Sequence, residues 1–279
     1  MKGIITKAVG GFFFPADSQQ QIYRTKIRGK VKEKVYPGDL VKFAGGMIEE
    51  LYPRKNRLLR PCIANVDQVV IVQAVAAPSL DRRLLERFLL VVEAEGLLPL
   101  IVINKIDLVA DKTKIREELA DYQKAGYRVC FVSVKDNTGL AELIKLLDQR
   151  INVLTGPSGV GKSSLINEIV SGARLKVGAI SPRLQRGIHT TRHVELLPIK
   201  EGGWVADTPG FTSLDIDQIA AEELSLLYPE FVQYLNQCKF RVCSHTHEPG
   251  CSVKNAVEQG EISQRRYQSY QTFYQEIKK

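Results

Sequence analysis

The sequence predicts a multidomain chain: a small N-terminal β-barrel, a central α/β domain on a parallel sheet, and a mainly helical C-terminal domain around a metal-binding cluster. Three observations carry this. Residues 1–62 read as short strands punctuated by Gly10-Gly11, Gly29, Pro37-Gly38, Gly45-Gly46 and Pro53, with no long helical period. Residues 63–215 alternate between strand and helix patterns. Residues 216–279 change character and hold three of the five cysteines. A length of 279 residues suits this division.

In the barrel region, basic residues occupy every second position: Arg24, Lys26, Arg28, Lys30, Lys32 and Lys34, with Thr25, Ile27, Val31 and Val35 between them. Period two on extended chain puts the basic set on one face and the apolar set on the other. Residues 1–62 hold 13 Lys/Arg against 5 Asp/Glu, whereas the rest of the chain holds 26 of each. The whole net charge of +8 therefore sits in the first fifth of the chain. A basic module on a neutral body points to a polyanion, nucleic acid above all. The plainer alternative is a solvated strand face.

The central region reads in order as a buried-type strand (67–75), a helix (79–95) with Leu84, Leu85, Phe88, Leu89 and Val92 on one stripe, and a strand (99–103). A helix (112–125), a strand (128–134), a helix (139–149), a strand (151–155) and a helix (164–170) follow. Strands alternating with helices imply a parallel sheet covered on both faces. In the C-terminal region, Tyr267, Tyr270, Tyr274 and Ile277 recur at helical spacing, as expected of an aromatic stripe packed on the neighbouring domain.

Composition excludes some classes. Hydrophobic residues make up 44% and charged residues 25%, ordinary for a globular protein. No apolar run approaches the roughly 18 residues of a membrane helix. Near the N-terminus, Gly10, Gly11 and Pro15 interrupt the apolar Phe12–Phe14 and no cleavage site follows, so a signal peptide is not expected. An odd number of cysteines without an export signal favours a reducing, cytoplasmic setting and a metal site over disulfides.

Gly156-Pro157-Ser158-Gly159-Val160-Gly161-Lys162-Ser163 matches the phosphate-loop pattern, after an apolar strand and before a helix beginning at Ser164. The glycines let backbone N–H groups converge on phosphate oxygens at a helix N-terminus. Lys162 is expected to reach the β- and γ-phosphates and Ser163 to ligate Mg²⁺. This loop does not choose between ATP and GTP. Asn104-Lys105-Ile106-Asp107 resembles the NKxD motif of GTPases. There the Asp accepts from guanine N1–H and N2–H₂, where adenine has no donors; Asn104 would lie near N7 and Lys105 along the ring. Ser133-Val134-Lys135 resembles the SAK-type motif behind the base. Asp207-Thr208-Pro209-Gly210 resembles DxxG, whose Asp holds a Mg²⁺-bound water and whose Gly meets the γ-phosphate. In Gly187–Arg192, Thr190 or Thr191 matches the switch I Mg²⁺ ligand. Phe211 stands where Ras-like proteins carry a water-orienting Gln, so intrinsic hydrolysis should be slow, with His189 the candidate replacement. Cys238, Cys243 and Cys251, with His245 or His247, suit tetrahedral Zn²⁺ in a structural site.

The motif order is rotated. GTPases ordinarily run phosphate loop, switch Thr, DxxG, NKxD, SAK; here the base-reading pair precedes the phosphate loop. With a basic barrel in front and a Cys/His cluster behind, the chain resembles, over essentially its whole length, the ribosome small-subunit-dependent GTPase A family of bacteria. That resemblance implies an N-terminal OB-fold (1–62), a circularly permuted GTPase domain (63–215) and a zinc domain (216–279). It implies His245 rather than His247 as the fourth ligand, GTP/GDP with Mg²⁺ and one structural Zn²⁺. The implied partner is the 30S subunit through its 16S rRNA, with no DNA and no membrane, for a cytoplasmic monomer. The implied activity is GTP hydrolysis stimulated by the subunit during its late maturation. A P-loop kinase or ATPase explains the phosphate loop but not the NKID and DTPG segments. An RNA-binding module that uses nucleotide only as a switch draws support from Phe211.

Overall fold

The computed structural model describes residues 1–59, 61–171, 194–207 and 216–278. The first unit is a barrel of five short strands, β1 (Lys2–Val9), β2 (Phe12–Ala16), β3 (Lys26–Ile27), β4 (Leu40–Ala44) and β5 (Met47–Leu51). Gly10 and Gly11, at φ 58° and 77°, supply the left-handed pair that a tight hairpin needs between β1 and β2. Strand β1 pairs antiparallel with β2 and β4, β4 pairs with β5, and β3 runs parallel to β5. Phe13 and Thr25 exchange backbone hydrogen bonds of 2.9 and 2.8 Å, closing β2 onto β3. This is the five-stranded closure of an OB-fold. Ile5, Val35, Val41, Phe43 and Ile48 fill it.

The basic run departs from the expected strand. Only Lys26 and Ile27 are strand; the chain then turns at Gly29-Lys30, with the Val31 N–H donating to the Arg28 carbonyl at 2.9 Å. The alternation nonetheless survives as exposure. All six basic side chains are exposed, Thr25 and Val35 are buried, and Ile27 and Val31 are half-buried. Burial of the apolar set holds the register where ladder hydrogen bonds do not.

A hairpin, β6 (Arg57–Leu59) and β7 (Cys62–Ala64), leads from the barrel into the central domain. There follow β8 (Gln68–Ala74), α1 (Arg82–Ala94), β9 (Leu98–Asn104), α2 (Lys112–Glu118), α3 (Ala120–Lys124), β10 (Arg128–Phe131) and α4 (Leu140–Leu147). The remainder comprises β11 (Ile151–Thr155), α5 (Lys162–Ile169), β12 (Glu195–Pro198) and β13 (Trp204–Asp207). The strand order is β10-β9-β8-β11-β13-β12, parallel except where β12 meets β13. Alternate residues serve opposite faces: Val69, Ile71, Ile101 and Val153 pack under α1–α3, while Val70, Val72, Val102 and Leu154 pack under α4 and α5. Every residue of β8 is buried, as expected of a central strand covered on both sides.

Helix α1 starts where Asp81 accepts from the Leu84 N–H at 2.9 Å, a cap that stabilises by about 1 kcal/mol. The single helix expected over 112–125 is two. At Leu119, φ is −109° and ψ 4°, and three-residue hydrogen bonds replace helical ones: Leu119 N–H to Arg116 at 3.2 Å and Tyr122 N–H to Leu119 at 3.1 Å. Ile115, Leu119 and Tyr122 all enter one core across the break. The sheet does not stop at the domain edge. Strand β1 pairs antiparallel with β12 at Lys7 and Glu195, whose side chains form a 2.9 Å ion pair.

The C-terminal unit carries α6 (Pro229–Val232), α7 (Ser252–Glu258) and α8 (Gln264–Ile277). The aromatic stripe of α8 packs on Tyr228, Phe231 and Leu90 of α1. It also does something the periodicity did not announce. Tyr267 and Tyr270 donate from their hydroxyls to the carbonyls of His245 (2.8 Å) and Ser244 (2.7 Å), pinning the loop that carries the Cys/His cluster. Beside the stripe, Arg266 is 1% exposed. It donates to Glu86 of α1 and, at 2.7 Å, to Glu230 of α6, and lies 4.7 to 5.5 Å from the ring centroids of Tyr228, Tyr127 and Tyr122. Burial raises the Glu86 carboxyl above its usual range, and the Arg266 charge opposes that rise.

Candidate functional site

The carboxyl ends of β8, β9 and β11 open on the crevice where an α/β sheet binds ligands. The phosphate loop leaves β11 there. Gly156 has φ 134°, and a Cβ on it would sit 2.0 Å from the Val72 carbonyl oxygen, so only glycine lets the loop lie against β8. Gly161 caps α5 at φ 95°; a Cβ there would sit 2.4 Å from Asn104 Nδ2. Pro157, Ser158 and Gly159 form the outer arc, while Val160 is fully buried beneath it. Lys162 curls over the loop, donating to the carbonyls of Gly156 (2.8 Å) and Pro157 (2.6 Å), and burial lowers its pKa. Ser163 is exposed on the first turn of α5, with the half-buried Ser164 after it. An exposed hydroxyl beside an ammonium at a helix start fits a Mg²⁺-triphosphate. When bound, that ion neutralises developing charge on phosphate oxygens.

The NKID segment is tied to this loop. Asn104 Nδ2 donates to the Val160 carbonyl at 2.9 Å, and Lys105 Nζ donates to that of Gly159 at 2.7 Å and to that of Ala77. Lys105 sits at φ 63° and ψ 33°, a left-handed conformation unusual for a non-glycine residue. Among the described residues, Asn104 Oδ1 is buried without a partner. Asp107 follows in a short 3₁₀ turn. Its Oδ1 accepts from the Ser133 hydroxyl at 2.7 Å, and Lys135 Nζ lies 3.9 Å from Oδ2. Two motifs 26 residues apart thus present one oriented carboxylate, able to accept from two adjacent N–H groups of a ligand.

Asp207 ends β13, paired with Glu195 in the register. His189, Thr190, Thr191, Gly210 and Phe211 lie outside the described residues. Two features of the site were not anticipated from sequence: the Asn104 link to Val160, and the part Ala77 plays in holding Lys105. The only signal for either was an amide-bearing residue at the end of a strand.

The second cluster lies in the C-terminal unit. The ligand atoms of Cys238, Cys243, His245 and Cys251 all fall within 4.8 Å of one another. His245 Nδ1 is 3.5 Å from Cys238 Sγ and 3.4 Å from Cys251 Sγ, and the two sulfurs are 4.0 Å apart. A tetrahedral zinc ion with Zn–S of about 2.3 Å sets its sulfurs about 3.8 Å apart, so the donor set fits that ion. Burial lowers the His245 pKa, favouring the neutral ring that ligates. Burial pushes the Cys243 thiol up to about 12, so a cation among the sulfurs would relieve the cost of ionising it. His247 is exposed and turned to Thr246 Oγ1 at 3.0 Å, away from the cluster. Among the described residues, no helix is long and apolar enough to cross a membrane.

Comparison with known proteins agrees over the full length. The family model described as RsgA GTPase matches residues 51–217, and that described as RsgA N-terminal domain matches residues 2–48. The small ribosomal subunit biogenesis GTPase RsgA of Geobacillus sp. (strain WCH70) is 45% identical, the match covering 99% of this chain and 97% of that protein. The protein of the same name from Carboxydothermus hydrogenoformans is 44% identical over 99% of this chain and 98% of its own. Among solved structures, YloQ, described as a circularly permuted GTPase, superposes with a TM-score of 0.82 at 40% identity, covering 99% of this chain and 94% of its own. YjeQ from Thermotoga maritima superposes at 0.84 with 36% identity, covering 99% and 98%.

Proposed function

Because the chain belongs to the RsgA GTPase family, we propose that it hydrolyses GTP to GDP and phosphate in biogenesis of the small ribosomal subunit, binding the 30S particle through its 16S rRNA and turning over faster when bound, late in maturation. The observation that carries the nucleotide reading is the Asp107 carboxylate, oriented by Ser133 and joined to the phosphate loop through Asn104 and Val160. Asp107 reads the guanine edge, Asn104 lies near N7, Lys105 lies along the ring, and Ser133 and Lys135 back the carboxylate.

Gly156 to Gly161 present backbone N–H groups to the phosphates. Lys162 leaves its two loop carbonyls for the β- and γ-phosphate oxygens and stabilises the charge that builds there as water attacks. Ser163, with Thr190 or Thr191, would hold Mg²⁺, and Asp207 its bound water; Gly210 meets the γ-phosphate. His189 orients the attacking water in place of the Gln that Phe211 replaces. Cys238, Cys243, His245 and Cys251 would hold one structural Zn²⁺, since four protein ligands leave no open position.

We take the domains as 1–62, 63–215 and 216–279, a reading supported by an apolar core in each unit, with Leu58 of the first and Leu90 of the second buried in a neighbour's core. The hairpin β6–β7 is the joint between the first two. It starts in the barrel unit but places Leu58 and Ile63 in the central core.

The test is GTP and ATP hydrolysis by the purified protein, alone and with isolated 30S or 50S subunits. The expected result is turnover specific for GTP and stimulated by 30S alone. Equal stimulation by 50S would leave a permuted GTPase with a different partner, and ATP turnover at the GTP rate would remove the base-reading role of Asp107.

A further inference from the structure

Tyr36 stands among three cations. The Arg54 and Arg57 guanidinium carbons and Lys34 Nζ lie 5.0, 5.2 and 5.3 Å from its ring centroid, and Arg57 Nη1 donates to its hydroxyl at 3.0 Å. The three cations are not equivalent. Arg54 is committed inward: Nε and Nη2 bind the fully buried Asp39 carboxylate at 2.5 and 2.8 Å, and Nη2 also holds the Lys34 carbonyl at 2.6 Å. Asp39 in turn accepts the Tyr36 N–H at 2.7 Å. The backbone of residues 34–36 is therefore fixed from beneath. Lys34 and Arg57 are exposed above it, and no ion pair joins either to a carboxylate among the described residues. The acidic neighbour, Glu33, also acts on Arg54 through space.

Two uncompensated cations held beside one ring repel each other. An exposed cation–π contact returns only about 0.5–1 kcal/mol. An arrangement fixed in this way is complementary to an anion with two oxygens to share: a forked guanidinium donor and a point ammonium beside one ring suit a phosphodiester. The location adds a second consequence. Lys34 and Tyr36 belong to the barrel, but Arg57 opens β6, and its neighbour Leu58 is buried with Val69 and Ile71 of β8. A phosphate held between Lys34 and Arg57 spans the joint between the barrel and the nucleotide domain.

We propose that Lys34, Tyr36 and Arg57 form a clamp for a backbone phosphate of ribosomal RNA, separate from the Arg24–Arg28 face. This rests on the reading above that the partner is the 30S subunit. The test measures binding of the full-length protein to purified 30S across a salt series for wild type, Lys34→Gln, Arg57→Gln, the double variant, and a separate Arg24→Gln/Lys26→Gln/Arg28→Gln variant. Both clamp side chains are exposed, so the melting temperature serves as the check on folding. Each single variant should weaken binding, and the double variant, which loses the one shared phosphate, should make the slope of log affinity against log salt shallower by about one. A double variant with wild-type affinity and slope overturns the clamp. If the triple variant weakens binding in that case, the 30S reading stands without it. Wild-type protein that fails to bind 30S at low salt overturns the 30S reading and the clamp together.

Discussion

The nucleotide site and the interface between α1 and α8 are both held by buried polar contacts between distant parts of the chain, yet they differ in how the contacts are specified. At the nucleotide site the distant partners belong to short contiguous motifs. Asn104 and Val160 are 56 residues apart, but each sits inside a run whose spacing is dictated by the ligand. At the interface, Arg266 meets Glu86 across 180 residues and Glu230 across 36, and no local spacing connects them. The first arrangement is selected for chemistry on a bound molecule. The second neutralises a buried charge and attaches one domain to another. If that contrast is right, substitutions in the two regions should move different observables.

The largest effect expected is on stability, from Arg266→Ala. Removing one partner of a buried ion cluster leaves Glu86 and Glu230 uncompensated and costs about 3–5 kcal/mol, read as a drop in denaturation midpoint, with GTP affinity unchanged. The pH dependence has a definite sign. Glu86 already has its folded pKa raised by burial, and losing Arg266 raises it further. A carboxyl raised in the fold stabilises below its unfolded pKa and loses that contribution as pH rises through the folded value. The variant should therefore lie closer to wild type at about pH 5 than at about pH 8. A GTP affinity that falls in step with stability would show that the interface reaches the nucleotide site and break the comparison. Next comes Lys162→Ala. Among the described residues its ammonium bonds to two loop carbonyls, so kcat should fall on the order of 10²–10³ with little change in midpoint. Equal turnover by the variant would remove Lys162 from the mechanism.

The same contrast governs what was legible beforehand. Strand β11 and the phosphate loop were readable because a ligand demands glycine and lysine at set positions, and the predicted strand 151–155 matches the observed bounds. The basic alternation over Arg24–Lys34 was readable as exposure but not as a strand, because the turn at Gly29-Lys30 breaks the ladder without disturbing which side chains are buried. The break at Leu119 was hidden because Ile115, Leu119 and Tyr122 keep the i, i+4, i+7 spacing of a continuous helix across it. Arg266 was the least legible of all. On the sequence it is one charge in a polar helix, and only the fold brings Glu86, Glu230 and three tyrosines around it. The Tyr267 and Tyr270 hydroxyls are a similar case: periodicity marks the rings as packing residues but says nothing of the carbonyls they meet.

Asp107→Asn sharpens the comparison within the nucleotide site. It exchanges an acceptor pair for an amide that donates at one end, so GTP affinity should fall about 10²-fold, from weakened hydrogen bonds to a charged group. Xanthosine triphosphate, with a carbonyl where guanine has its amino group, should gain relative to GTP. Competition between the two triphosphates reads this directly, and an unchanged preference would mean that Asp107 does not touch the base.

The smallest effect separates Ser133 from Lys135. Both approach the Asp107 carboxylate, but Ser133 is fully buried and donates at 2.7 Å, whereas the Lys135 side chain is 80% exposed at 3.9 Å. An exposed ion pair of that length is worth about 0–1 kcal/mol, so Lys135→Ala should leave GTP affinity nearly unchanged. Ser133→Ala removes a fixed donor from a carboxylate that water still reaches, its side chain being 13% exposed. Partial replacement by water holds the loss to about 1 kcal/mol, roughly fivefold in GTP affinity. The order Ser133 before Lys135 follows from geometry alone. The reverse order in a side-by-side titration would mean that the base is held by the charge of Lys135 rather than by the oriented carboxylate.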